Sequence, residues 1–131
     1  MRSFKDPVLF TNLLFFVNGW LWFVVDYPIV GTLLYLSAFS SCVYHLNEEN
    51  NKTSLTLDRT FAHLSLYSSL YCSFNALDFY DYINLFNILA IGLYVKAKGL
   101  EKNYDLWHTL WHIFVFIGQL YLVWRVYEFP V

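Results

Sequence analysis

What most constrains this chain is the spacing of its polar residues. Apolar runs of about 20 residues, the length a helix needs to cross a bilayer, are broken only by short polar joints. Soluble helices keep a polar face and soluble strands alternate, whereas these runs are apolar nearly all round. With 58% hydrophobic, 22% aromatic and only 14% charged residues, the chain has too little polar surface to clothe a soluble domain of its size. The fold class expected is therefore all-α: a polytopic transmembrane helix bundle of about five spans, forming a single domain over residues 1–131.

The joints divide the runs. Residues 1–7 are a polar head with Arg2 and Lys5. The first span, 8–27, is too long for the core of a signal peptide and lacks a small-residue cleavage site. Tyr27-Pro28 marks a turn, because proline suits the first helical position and disfavours helix just before it. The second span is 28–46, and the polar stretch 47–54 is a loop. The third span, 55–72, opens with Thr56 and Asp58 as candidate caps. A break near Phe74-Asn75 leads to the fourth span, 77–95, whose first turn carries Asp78 and Asp81 at the positive end of the helix dipole. In 96–103, Gly99 and the lysines signal a helix end. The fifth span, 104–126, finishes near Trp124 and Tyr127, aromatics of the kind that gather at membrane interfaces. Seven spans would need roughly 140 residues, more than the 131 present. Cys42 and Cys72 both fall inside apolar runs, as packed thiols rather than a disulfide.

Five spans place Arg2, Lys5, Lys52, Arg59, Lys96, Lys98 and Lys102 on one side and only Arg125 on the other. The basic side is expected to be cytoplasmic. Asn51-Lys52-Thr53 is a glycosylation sequon, usable only if its loop were lumenal. A net charge of −2 with no basic run excludes nucleic acid as a partner.

Ionisable residues inside a bilayer cost roughly 2.5–3.5 kcal/mol each, so those present usually have a partner or a task. His108 and His112 stand at i and i+4 and leave one face of the fifth helix a turn apart, where both can grip one metal ion. Ser41 and His45 have the same spacing at the end of the second span, and Asp58 opens the third. Five spans bring these residues to one depth on one side; adding or losing a span between Asp58 and His108 would separate them. Three neutral imidazoles, His45, His108 and His112, with water in the fourth position make an open tetrahedral zinc site. Such an ion activates water for attack on a carbonyl. Asp58 suits the role of general base or water-orienting group, and Ser41 that of a donor to a developing oxyanion. The zincin pattern is excluded, since Thr109 and Leu110 stand where it needs a glutamate. A histidine pair on one apolar helix also serves for interhelical hydrogen bonding, and spacing alone leaves that reading open. His63 has no comparable partner and reads as structural or interfacial, as do Asp26, Asp78 and Asp81.

S-S-C-V-Y-H, then L-D, then H-T-L-W-H together resemble the signature of the CREST superfamily of membrane hydrolases, which includes alkaline ceramidases and the progestin and adipoQ receptors. The resemblance implies a seven-helix fold with zinc held at His45, His108 and His112, and with Ser41 and Asp58 as the accessory pair. This chain departs from the pattern in having about five spans and in placing Arg59 after Asp58, where an aromatic or apolar residue is more usual. The function expected is a zinc-dependent hydrolase cleaving an amide or ester bond of a membrane lipid, with a ceramide-like substrate implied by the resemblance alone. Two alternatives stand beside it: a non-enzymatic member, receptor-like or degenerate, and a haem protein with histidines as axial ligands. The partner expected is a membrane lipid, and assembly into a homo-oligomer is left open.

Overall fold

Five α-helices follow one another through short joints, at nearly the positions the apolar runs mark: α1 (Pro7–Val24), α2 (Pro28–Leu46), α3 (Lys52–Ser73), α4 (Phe79–Glu101) and α5 (Tyr104–Glu128), with a single 3-10 turn, Phe74–Ala76, between α3 and α4. The computed structural model describes residues 6–47, 49–101 and 103–130, and Arg2, Lys5 and Lys102 lie outside them.

The helix starts follow from local chemistry. Asp6 caps α1 through a 2.9 Å bond from the Val8 amide, with Pro7 in the first turn. Asn51 accepts from the amides of Thr53 and Ser54, so α3 begins earlier than the loop 47–54 would allow. Asp78 and Asp81 cap α4 reciprocally: the Asp81 amide donates to Asp78 at 3.0 Å and the Asp78 amide to Asp81 at 2.7 Å. Each such bond satisfies an amide that the first turn leaves without a helical partner.

Gly99 is not a terminator. α4 runs through it to Glu101, and the left-handed residue in the joint is Asn103, with φ of 48°. A Cβ on Gly99 would lie 3.1 Å from the Trp107 Cβ, so this glycine lets α4 approach the start of α5. Gly19 and Gly31 do the same for α1 and α2, where a Cβ on Gly31 would meet the Phe23 ring and the Gly19 carbonyl at 2.7 Å. Small residues at such crossings are how membrane helices reach close packing.

The helices α1, α2, α3 and α5 close a ring of neighbours, and α4 packs on α5 from outside it. The ring interior is unusually polar. Trp22 donates to Gln119 at 3.1 Å and Gln119 to Ser69 at 2.9 Å, tying α1, α5 and α3 together. Among the described residues, fourteen buried ones are polar or charged against thirteen apolar ones, while Phe10, Trp20, Phe39, Tyr71 and Phe86 are exposed. Polar inside and apolar outside is the distribution expected of a bundle surrounded by lipid.

Four helices, α1, α2, α4 and α5, are long and apolar enough to cross a membrane; α3, expected as a span of its own, is not. It carries Lys52, Asp58, Arg59 and His63 together with a run of serines and threonines. Its buried residues are all serines, Ser54, Ser65, Ser69 and Ser73, while Leu57, Leu64, Leu66, Tyr67 and Tyr71 face out. Such a helix is compatible with a bilayer only when its neighbours cover its polar side, which α2 and α5 do.

Asp81, expected at the membrane interface, has partners within the bundle. It is 4% exposed and receives Arg125 Nε at 2.9 Å, Arg125 Nη2 at 2.8 Å and the Tyr121 hydroxyl. Asp78, by contrast, is exposed at 3.6 Å from the same guanidinium. Asp81 and Arg125 therefore clamp α4 to α5 at the end opposite the histidines. Arg125→Met is expected to destabilise the fold by about 3–5 kcal/mol, because a buried carboxylate stripped of its partner is uncompensated. Thermal unfolding in detergent measures this, and replacing Asp81 with leucine in the same chain should recover much of the loss. An unchanged midpoint for Arg125→Met alone would show that apolar contacts hold α4 without the ion pair.

Candidate metal centre

His45 is in the last turn of α2, His108 and His112 in the first turns of α5, and the antiparallel course of the intervening helices brings both ends to one level. One side-chain nitrogen from each of the three rings lies within 4.8 Å of the others, so the three histidines could hold a metal ion. Their ring centroids are 4.5 Å (His108 to His112), 4.9 Å (His45 to His108) and 5.7 Å (His45 to His112) apart, and the rings meet edge-on. His45 and His112 are buried and His108 is half-buried.

The rings are held from behind. His45 Nδ1 is 2.8 Å from a carboxylate oxygen of Glu49, and His112 Nδ1 is 2.9 Å from the Thr11 hydroxyl on α1. Phe15 packs edge-on against His112 at 5.6 Å, and Tyr104 stacks on His108 at 4.7 Å. Three imidazoles with two of the Nδ1 atoms engaged elsewhere are the donor set of a three-histidine metal site.

Asp58 lies in the second turn of α3, half-buried, with Ser41 of the neighbouring α2 within electrostatic reach of its carboxylate. The Asp58 carboxylate does not belong to the group of ligand atoms formed by the three histidines. Lys96, near the end of α4, lies within electrostatic reach of both Asp58 and His112, and its ammonium rests over the Trp111 ring at 4.9 Å. His63 is elsewhere: exposed on the outer side of α3, with Nδ1 2.6 Å from the Arg59 carbonyl. Cys42 and Cys72 are both free thiols.

Residue spacing does not reveal Thr11, Glu49 and Lys96. Glu49 stands four residues after His45, a spacing that brings side chains together on a helix, but it lies beyond the end of α2. Thr11 is an ordinary hydroxyl in an apolar run, and it meets His112 only because α1 packs beside α5. Compared with family models, with curated proteins and with solved structures, the chain matches none.

Proposed function

We propose that this chain is a zinc-dependent membrane hydrolase acting on an amide or ester bond of a lipid. The observation that carries the reading is the convergence of His45, His108 and His112 beside the Ser41–Asp58 pair at one end of the bundle. Three neutral nitrogen donors suit zinc and leave a coordination position for substrate or water. The edge-on rings fill the space that a porphyrin plane would need, which favours a single ion over haem. The residues are those on which the CREST resemblance rests, and membership of that superfamily is part of the proposal.

A bound zinc ion supplies Lewis acidity, polarising a carbonyl and making water more acidic. The chain's own groups supply the rest. Asp58, on α3 beside the helix that carries His45 and not one of the histidine group, takes the proton from the attacking water and returns it to the departing amine or alkoxide. Ser41, on the neighbouring helix, is the hydroxyl placed to orient the Asp58 carboxylate, and Lys96 brings a positive charge within reach of it. Asn12 follows Thr11 on α1, is wholly buried and has neither amide atom hydrogen-bonded. An unpaired buried amide is costly unless something polar meets it, and the head of a lipid amide is such a partner. Among the described residues Lys52, Arg59, Lys96 and Lys98 lie towards the histidine end and Arg125 at the other, which supports a cytoplasmic site.

The chain has five helices where the superfamily has seven. That favours one second reading, a non-enzymatic member that holds the ion without enclosing a substrate. Metal analysis of the purified chain, with hydrolysis assays on ceramide and phospholipid vesicles, separates the two. Stoichiometric zinc with release of fatty acid supports the hydrolase. Zinc without turnover selects the scaffold, and a chain that takes up no metal overturns both.

A further inference from the structure

Two groups outside the histidine set decide which nitrogen each ring presents. Thr11 Oγ1 lies 2.9 Å from the Pro7 carbonyl and 3.1 Å from the Val8 carbonyl, so its own helix offers two acceptors for its single hydrogen. Its oxygen is then left to accept from His112 Nδ1, 2.9 Å away. The Val8 carbonyl, an acceptor only, also bears on the His112 ring. This arrangement of acceptors suits a His112 ring with its hydrogen on Nδ1. On the other ring the partner is a carboxylate, which as an anion accepts and does not donate, so His45 carries its hydrogen on Nδ1 as well.

The Glu49 contact is secured by the backbone. Glu49 has φ of 63°, the left-handed region that residues other than glycine seldom occupy, and its amide donates back to the Tyr44 carbonyl at 3.0 Å. Asparagine and glycine take this conformation readily and glutamate does not. The conformation folds the chain back over the end of α2 and sets the carboxylate behind His45.

We propose that Thr11 and Glu49 are positioning residues for the metal centre: each fixes the Nδ1–H tautomer of one histidine, so that His112 and His45 both offer Nε2 to the ion. The assignment rests on the metal-binding reading above. It gives α1 and the α2–α3 joint a part in a site whose ligands come only from α2 and α5. Carboxylate and hydroxyl partners behind a ligating imidazole hold the ring in place and raise its basicity, and their loss typically weakens metal binding by roughly 10–100-fold.

The test uses the full chain in detergent, with zinc and cobalt(II) as the probes. Thr11→Val keeps the shape and removes the acceptor; it should weaken zinc binding by roughly 10–100-fold and alter the visible bands of the cobalt form, while Thr11→Ser restores wild-type values. Glu49→Gly removes the carboxylate and relaxes the backbone, so it should lose metal affinity by the same factor while the metal-free protein unfolds no earlier than wild type. Nitrogen NMR of the metal-free protein should show Nδ1–H on both rings. Wild-type affinity and cobalt spectrum in both variants, or Nε2–H on either ring, would overturn the assignment while leaving the metal site standing. A wild type that binds neither ion would overturn the metal reading and this one with it.

Discussion

Either His108→Ala or His112→Ala is expected to abolish stoichiometric zinc, with affinity falling by more than the ~10–100-fold that loss of a partner behind a ligand costs. Among the described residues three nitrogens converge, and two imidazoles do not complete the protein shell of an open zinc site. His108→Ala is the cleaner variant, because His108 is half-buried whereas His112 is buried, packs against Phe15 and bonds Thr11. His63→Ala is the control. Its ring lies on the outer side of α3 against its own helix carbonyl, so zinc should remain at the wild-type level. Metal analysis after dialysis reads all three. Equal loss from all of them would show that the ion is held non-specifically, and full retention in His108→Ala would remove that residue from the site.

Asp58→Asn is expected to keep the metal and lower turnover by roughly 10²–10⁴-fold, the usual contribution of a general acid or base. The carboxylate is not one of the converging groups, and Ser41 on the neighbouring helix lies within electrostatic reach of it. Asparagine preserves the size and can still accept from that hydroxyl, so the α2–α3 contact should survive. What it cannot do is take a proton from water. Loss of zinc in this variant would make Asp58 a ligand or a support for one, and the proposed proton transfer would be wrong. Unchanged turnover with zinc in place would leave the base to be sought elsewhere.

Much of the architecture is determined locally, and such features can be read from residue order. The apolar run 28–46 between Pro28 and the first polar joint gives α2 with both its limits. His108 and His112 share a face because a helix turns 3.6 residues at a time, and His45 reaches the same level because helices joined by short loops must alternate in direction. Local pattern misleads where one residue type has two uses. Gly99 followed by a polar joint reads as a helix stop, yet α4 continues and the missing Cβ admits Trp107. Asp81 reads as a complement to the helix dipole and does cap α4, but its burial against Arg125, 44 residues away, is not written in the local pattern. α3 reads as an ordinary span, and only its neighbours show that serines fill its inner side.

The sequence by itself determined the helices, their number and the level at which His45, Asp58, His108 and His112 stand, because periodicity and run length act within a single helix. Tertiary structure alone decided what stands behind each imidazole. Thr11 is 101 residues from His112, and no spacing rule links them; their meeting depends on which face α1 turns to α5, fixed by how closely Gly19 and Gly31 let α1 and α2 approach. Glu49 reaches His45 because the joint after α2 accepts a left-handed residue. Ligand residues can be recognised by type and spacing, whereas the groups that orient them are ordinary hydroxyls and carboxylates distinguished only by where packing puts them.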